Sequence, residues 1–328
     1  MKPVRWGVLS PAKIGMEKVL PAMLKSRELE VFALASRDLA RAEAACKKLG
    51  IAKAYGSYEE LLADPTIEAI YNPLPNHLHV PMTLAAARAG KHVLCEKPIA
   101  LNAKEADQLG TIPKGILVAE AFMVRHHPQW KMARDLAKSG ALGVVQAIQV
   151  LFSYHLLDPT NVRNKADIGG GGLMDIGCYP VTGARFVFDA EPERVIALID
   201  RDPAMKVDRL ASGVADFGGG RQLSFTVGTQ AMNFQRVQIL GSTGRFEIDI
   251  PFNAPQNAPT LVHLHQEGRP PETRSIAVAD QYTLQAEAFG RAVRGIEPLA
   301  YGVEDAIKNM RVLDAFVRSE ASGKWEAV

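Results

Sequence analysis

Short apolar runs alternate with stretches of helical periodicity in the first third of the chain. Residues 14–24 and 39–49 carry apolar side chains at helical spacing, and Gly50, a common helix stop, follows the second stretch. Strands that alternate with helices predict an α/β domain with a parallel sheet of the doubly wound type. The predicted strands are 5–9, 29–36, 69–72, 92–95 and 116–119.

The pattern changes from about Val144 onward, where strand-like runs follow one another with turns between them. The glycine-rich segments 218–220 and 241–244 have the composition of hairpin loops. Consecutive strands predict a mostly antiparallel sheet, so we expect an α/β domain over 1–121 and an α+β domain over 122–328. The predicted strands of the second domain are 144–155, 194–201, 212–217, 222–227, 236–240 and 246–250, and helical spacing returns at 282–293 and 303–317.

Composition indicates a soluble protein, since 47% of the 328 residues are apolar and 23% are charged. The 38 basic and 36 acidic residues form no long run of one sign, which argues against a nucleic-acid or membrane-surface partner. No segment approaches the roughly 18 consecutive apolar residues that mark a membrane span. The N-terminus lacks a signal-peptide pattern, and the cysteines (Cys46, Cys95 and Cys178) are odd in number and widely spaced. We therefore expect a cytoplasmic protein with reduced thiols.

The loop after the first predicted strand is a candidate phosphate-binding loop. A dinucleotide-binding fingerprint would place glycines at 10, 12 and 15, and here only Gly15 matches. Small side chains at Ser10 and Ala12 still let the backbone approach a pyrophosphate, whose charge would lie at the helix N-terminus. An ordinary strand–helix turn explains this motif equally well when it is taken alone. The surrounding βαβ pattern favours the dinucleotide site.

The end of the second predicted strand indicates which cofactor to expect. NAD enzymes usually carry an acidic residue there, about 20 residues past the glycines, to bind the ribose 2′-hydroxyl. This chain has Ser36 and Arg37 at that point. A serine hydroxyl can donate a hydrogen bond and a guanidinium can clamp a 2′-phosphate, so we expect NADP(H), with NAD less favoured. The alternative is that Arg37 is a solvated residue at a helix start.

Three later segments together resemble the glucose–fructose oxidoreductase / inositol dehydrogenase family, often written Gfo/Idh/MocA. They are YNPLPNHLH at 71–79, EKP at 96–98 and GGGGLMDIGCY at 169–179. The segment AEAFM at 119–123, with Arg125 and HPQ at 127–129, is similar to the branch of NADP-dependent D-xylose dehydrogenases and dimeric dihydrodiol dehydrogenases. Two features depart from the family: the phosphate loop lacks two of its usual glycines, and glycines and a proline shorten the customary helix over 102–115.

The resemblance implies an N-terminal Rossmann domain and a C-terminal domain for substrate binding and oligomerisation. In this family the open antiparallel sheet often forms the subunit interface, so we expect a homodimer or homotetramer. A C-terminal helix, about 303–318, is a candidate for packing back on the Rossmann domain. The resemblance further implies hydride transfer between a nicotinamide and a carbon that bears a hydroxyl or carbonyl group, in a sugar or related polyol.

The resemblance places Lys97 and Tyr179 at the reacting carbon, where a group must accept or return the hydroxyl proton. Lys97 is the lysine of the family's Glu-Lys-Pro motif. Its ammonium would hydrogen-bond the reacting oxygen and lower the pKa of a neighbouring acid–base group. Tyr179 lies four residues after Asp175, so the two side chains share a helix face. We expect Tyr179 to exchange the proton and Asp175 to orient the substrate hydroxyl or Lys97.

Further residues are expected to contact the cofactor or the substrate. The four glycines at 169–172 would allow a tight approach to the helix start. The expected cofactor contacts are Ser10, Pro11, Ala12, Lys13, Ile14, Ser36, Arg37, Pro73, Leu74, Asn76, His79, Glu96, Lys97 and Arg125, and the expected substrate contacts are Arg163, Tyr179 and Tyr282.

Two other readings of the sequence are weaker. His77 and His79 are two residues apart and His126 and His127 are adjacent, and neither spacing matches a common zinc site, so we expect no metal. A catalytically silent, NADP-binding regulatory protein of the same family stays open as a second function. Such proteins need not keep the lysine of the Glu-Lys-Pro motif, so the presence of Lys97 favours the enzyme.

Overall fold

The computed structural model describes residues 2–328, which fold into two compact units. The first unit holds the chain through Met123 together with Tyr282–Ile307, and the second holds Val124–Gln281 and Lys308–Val328. The two-domain division at residue 121 stays a prediction. The units differ from it because the segment after residue 281 returns to the first unit, where the Phe289 and Trp6 rings pack with centroids 5.5 Å apart.

The first unit contains a six-stranded sheet in the order β3-β2-β1-β4-β5-β6, and all of its strand pairs are parallel. This confirms the predicted doubly wound sheet. The order reverses at β1, so the loops after β1 and β4 flank the crevice where such sheets bind ligands. The strands are β1 (Val4–Leu9), β2 (Leu29–Ala35), β3 (Lys53–Tyr55), β4 (Ala69–Asn72), β5 (His92–Cys95) and β6 (Val118–Glu120).

The second unit contains a nine-stranded sheet in the order β14-β13-β12-β11-β7-β10-β9-β8-β15. Its pairs are antiparallel except β7 with β10, which confirms the predicted mostly antiparallel sheet. The predicted glycine hairpins join β9 to β10 and β11 to β12. The strands are β7 (Val145–His155), β8 (Arg194–Arg201), β9 (Asp208–Asp216), β10 (Gln222–Gly228), β11 (Gln230–Gly241), β12 (Gly244–Ile248), β13 (Thr260–Gln266), β14 (Glu272–Ile276) and β15 (Glu326–Ala327).

One helix begins and ends at capping residues that the sequence supplies. The helix Leu39–Leu49 is capped by Asp38, whose carboxylate accepts the N–H of Ala40 at 3.0 Å, and it ends at Gly50 with φ 70°. Within residues 2–328, no helix is both long and apolar enough to cross a membrane. The α-helices are Leu20–Met23, Leu39–Leu49, Tyr58–Ala63, His79–Arg88, Ala103–Ala106, Pro128–Lys138, Cys178–Phe188, Gln281–Val293 and Val303–Ser322, and π-helical turns at Gly15–Val19 and Leu173–Gly177 lead into two of them.

The expected packing of the C-terminal helix on the Rossmann domain stays a prediction. From Lys308 onward the helix Val303–Ser322 belongs to the second unit. The reason is its apolar face: the Phe316 ring meets the Phe225 ring of β10 edge-on, with centroids 5.1 Å apart. The Thr182 hydroxyl also donates to the Asn309 side chain at 3.0 Å. Only the residues through Ile307 lie in the first unit.

Candidate functional site

The loop after β1 has the backbone of a phosphate-binding turn even though two glycines are missing. Ser10 takes φ 87°, a left-handed conformation that favours glycine, and its N–H donates to the Ala35 carbonyl at the end of β2 (2.8 Å). Helical hydrogen bonding begins at once, because the Met16 N–H donates to the Ala12 carbonyl at 2.9 Å. The N–H groups of the first turn, residues 12–14, have no acceptor within the helix and can donate hydrogen bonds to a pyrophosphate. The turn therefore fits a dinucleotide despite the serine at position 10.

The end of β2 offers a hydroxyl and a guanidinium, with no carboxylate at position 36. Ser36 is buried and its Oγ accepts the Asp38 N–H at 3.3 Å, so the hydroxyl proton can still be donated. Arg37 is exposed. The nearby acid, Asp38, caps the following helix instead of facing a ribose. These residues suit a 2′-phosphate better than a 2′-hydroxyl.

Hydrogen bonds from the buried side chains of Asn72 and His79 stabilise the loop after β4. The Asn72 amide donates to the His79 carbonyl at 3.2 Å, and its oxygen accepts the Leu74 N–H at 3.3 Å. The His79 ring is 1% exposed, and its Nδ1 and Nε2 each lie 2.7 Å from a backbone carbonyl oxygen, of Pro98 and Leu74 respectively. Burial lowers the pKa of His79 to about 4. His79 therefore faces the protein's own backbone, and it would act on a cofactor through the two loops that it joins.

The loop after β5, which carries Lys97, is braced on both sides by glutamates. Glu96 accepts the Tyr71 hydroxyl at 2.7 Å and the Lys97 N–H at 3.4 Å. Glu120, at the end of β6, accepts the Ile99 N–H at 2.7 Å. Lys97 itself is half-buried, and the peptide that follows it is cis. The brace holds the backbone on either side of the lysine.

Two of the predicted residues, Tyr282 and Arg125, are buried, and their expected ligand contacts stay predictions. Tyr282, expected on the substrate side, is a buried residue of the first unit, and its phenol contributes to the raised pKa of Tyr71, whose first cause is burial. Arg125, expected near the cofactor, is buried in the second unit. Neither placement assigns a ligand contact.

In the second unit, Asp175 is the centre of a small polar cluster. Its Oδ2 accepts the Tyr154 hydroxyl at 2.7 Å and the Arg163 Nε–H at 3.1 Å. Burial, and then the negative charge of Asp175, raise the pKa of Tyr154 well above its ordinary range. Asp175 also raises the pKa of Arg163, with smaller contributions from Tyr154 and Tyr179. Asp175 thus holds Arg163 in place, a contact that the sequence did not predict.

Tyr179 lies one helical turn beyond Asp175, within an aromatic group. Its ring packs against Phe252 at 5.3 Å and meets Phe152 edge-on at 5.9 Å between centroids. Phe152 and Phe252 stack at 4.6 Å. Tyr179 is 6% exposed, so its ring orientation is set by packing.

The predicted residues divide between the two units. Sequence reasoning missed Tyr71, Glu120 and Tyr154, which hold other site residues. Tyr154 lies on a β-strand with no motif around it. Each of the three residues can be recognised only from its contact with a residue that is distant in the sequence. In the first unit lie Ser10, Pro11, Ala12, Lys13, Ile14, Ser36, Arg37, Pro73, Leu74, Asn76, His79, Glu96, Lys97 and Tyr282, and in the second lie Arg125, Arg163, Asp175 and Tyr179.

Known proteins match this chain over nearly its whole length. Residues 4–115 match the model of an oxidoreductase family with an NAD-binding Rossmann fold, and residues 130–247 match a GFO/IDH/MocA C-terminal domain. An uncharacterized oxidoreductase of Rhizobium meliloti is 47% identical over 331 residues, 99% of each chain. A D-xylose 1-dehydrogenase (NADP(+)) of Haloferax volcanii is 38% identical over 97% of this chain and 98% of its own. The crystal structure of a 3-ketoreductase from Actinomadura kijaniata, in complex with NADP and TDP-benzene, superposes with TM-score 0.90 at 30% identity, covering 97% and 98% of the two chains.

Proposed function

The chain belongs to the Gfo/Idh/MocA family of oxidoreductases, and from that membership we propose an NADP(H)-dependent enzyme that interconverts a hydroxyl and a carbonyl group of a sugar or related polyol. The observation that carries the proposal is the polar cluster around Asp175 on the helix of Tyr179, in the second unit. The braced loop of Lys97, in the first unit, supports it independently. Both features lie within a chain whose relatives include a D-xylose dehydrogenase.

Two kinds of evidence support NADP(H) as the cofactor: the relatives of this chain and its own residues. The D-xylose dehydrogenase relative is named for NADP(+), and the 3-ketoreductase structure contains NADP. In this chain the turn at Ser10 and the pair Ser36 and Arg37 fit a dinucleotide with a 2′-phosphate. When bound, the cofactor supplies or takes up the hydride.

Proton transfer is the part of the reaction that this chain's own residues perform. Tyr179 would give a proton to the substrate oxygen during reduction and take it back during oxidation. Its ordinary pKa, about 10, must be lowered for this at neutral pH, and the positive charge of Arg163, which interacts with Tyr179, is suited to that. Lys97 would also hydrogen-bond the reacting oxygen, while Asp175 holds Arg163 towards the substrate. The braces around Lys97 keep its backbone in place between turnovers.

The experiment compares the native chain with Lys97→Met and Tyr179→Phe on a panel of aldoses, ketoses, inositols and diols, read at the nicotinamide absorbance. We expect each variant to lower kcat/KM by about 10²–10⁴-fold, because each removes a group that handles the proton. Lys138→Met is a matched control, since this lysine is exposed at the end of the helix Pro128–Lys138 and pairs with the exposed Asp189. Full activity in Lys97→Met would overturn the proposal.

A catalytically silent regulator of the same family is the alternative outcome. It predicts NADPH binding by the native chain with no turnover of any sugar on the panel. Binding measured by the quenching of protein fluorescence, alongside the activity panel, separates the two functions.

A further inference from the structure

A carboxylate outside the expected site residues, that of Asp208, lies against the glycine run that precedes the Tyr179 helix. Asp208 is the first residue of β9. Its Oδ2 accepts the Leu173 N–H at 2.5 Å, and the Gly172 N–H is a second backbone donor to the same side chain. Leu173 opens the helical segment that carries Asp175 and then Tyr179.

The glycines make room for this carboxylate. A Cβ at Gly171 would collide with Asp208 Oδ1, and Gly171 has φ 122°, which L side chains rarely adopt. A Cβ at Gly170 would lie 2.6 Å from the carbonyl oxygens of Arg163 and Lys165. The sequence predicted a tight approach at this run, and the groups that approach are the protein's own carboxylate and backbone.

The same segment positions Arg163. The Gly171 N–H donates to the Arg163 carbonyl and the Gly170 N–H to the Lys165 carbonyl, each at 2.9 Å. The Gly171 carbonyl accepts the Asp175 N–H, also at 2.9 Å. Asp208, the glycine run, Arg163 and Asp175 thus form one connected arrangement, in which the carboxylate anchors the point where the loop becomes the helix.

We propose that Asp208 is a positioning residue for the substrate side of the active site, and that it acts by anchoring the glycine run so that Arg163 and Asp175 meet. The inference rests on the proposed function, because it assigns Arg163 and Tyr179 to the substrate. The role assigned to Asp208 is indirect, because its carboxylate accepts the N–H groups of Leu173 and Gly172. Its loss should therefore weaken substrate binding while NADPH binding in the first unit is retained.

The ionisation of Asp208 supports a role for its carboxylate in the active site. Burial raises the pKa of Asp208 from 3.8 to about 6. The backbone donors and the positive charge of Arg201 on β8 oppose this rise. Tyr154 on β7 is a further titratable group that interacts with Asp208. Because the folded pKa is the higher one, stability falls as the pH rises between these two values. A charge that disfavours folding at neutral pH is more readily explained by a role in the site than by a role in stability.

The experiment measures substrate KM, kcat and the NADPH dissociation constant for Asp208→Ala and Asp208→Asn. We expect Asp208→Ala to raise KM about tenfold or more, since a hydrogen bond to a charged group is lost, and to leave NADPH binding within about twofold. Asp208→Asn keeps an acceptor oxygen, so it should recover part of the affinity and keep or raise Tm at pH 8. We also expect kcat/KM of the native enzyme to fall below about pH 6, where Asp208 takes up a proton, and this fall should be absent from Asp208→Asn. Asp216→Ala is the control, because Asp216 ends the same strand and accepts the Gly218 N–H at 2.9 Å.

The outcomes separate this inference from the proposed function. An unchanged KM in Asp208→Ala, with activity still dependent on Lys97 and Tyr179, would overturn the positioning role alone. A lower Tm in both Asp208 variants with no effect on KM would make Asp208 a purely structural residue and would overturn it equally. Activity that survives Lys97→Met overturns the proposed function, whatever the Asp208 variants do.

Discussion

Arg37 stands exposed at the turn between β2 and the helix Leu39–Leu49, with Ser36 buried behind it. We predict that Arg37→Ala raises the KM for NADP by about 10–100-fold and leaves the KM for NAD nearly unchanged, because a charge-assisted contact to the 2′-phosphate is lost. Steady-state kinetics with each cofactor at saturating substrate measure the effect. The control is Arg41→Ala, four residues later and equally exposed. Equal losses with both cofactors would contradict the 2′-phosphate assignment.

Single residues were predictable from the sequence only where they lie in motifs. Lys97 could be singled out because Glu96 and Pro98 flank it. Tyr154 could not, because its partner Asp175 is 21 residues away and no pattern links them. That His79 lines the cofactor site stays a prediction. The contacts of its ring nitrogens with two backbone carbonyls could not be predicted, because only the folded loops bring these groups together.

At the scale of elements, the glycine run before the Tyr179 helix tolerates side chains least, because neighbouring atoms fill the space that a Cβ would need. We predict that Gly171→Ala lowers the free energy of unfolding by about 2–4 kcal/mol, because φ 122° is strained for alanine and the Asp208 carboxylate must move. The control is Gly219→Ala in the β9–β10 turn, where φ is 61° and no atom lies within 4 Å of the added Cβ. That change should cost about 1–2 kcal/mol, from the backbone conformation alone. Thermal unfolding of both variants checks the difference, and equal costs would contradict it.

Helices and strands that are marked by a clear apolar pattern in the sequence were predicted well. Strands that are defined only by their pairing with a neighbouring strand were not. The helix Leu39–Leu49 and the strands β4, β5 and β8 match their predicted bounds, because capping and apolar runs mark them locally. The strand β3 has three residues and no apolar run, so its pairing with β2 alone defines it. The strands β13 and β14 were missed for a related reason: each is defined by its pairing with a neighbour, β13 with β12 and β14 with β13.

At the scale of the whole molecule, the sequence predicted the order of the two folds but not the return of residues 282–307 to the first unit. Such a return depends on contacts between residues that are far apart in the chain. One of them is the pair of Glu68 and Arg294, which are separated by 226 residues. The guanidinium donates to both carboxylate oxygens, at 2.6 and 2.8 Å, and its Nη2 also donates to the Pro3 carbonyl at 2.8 Å.

This pair predicts how the stability of the first unit depends on pH. The hydrogen bonds from Arg294 lower the pKa of Glu68 from 4.5 to about 2. Because the folded pKa is the lower one, the stabilisation is complete above the unfolded value and is lost as the pH falls from about 4.5 towards 2. The shift sets an upper limit of about 3 kcal/mol, and partial exposure reduces it to roughly 1–2 kcal/mol.

Glu68→Gln should therefore lower the free energy of unfolding by about 1–2 kcal/mol at pH 7 and by much less near pH 3, where the native carboxylate is itself losing its charge. Urea unfolding at both pH values measures this. Glu272→Gln is the matched control: Glu272 makes a similar two-oxygen pair with Arg274, at 2.7 and 2.8 Å, but on an exposed edge strand. It should leave stability unchanged at both pH values. A loss in Glu68→Gln that is the same at pH 3 and pH 7 would mean that the shape of this contact, and not its charge, holds residues 282–307 to the first unit.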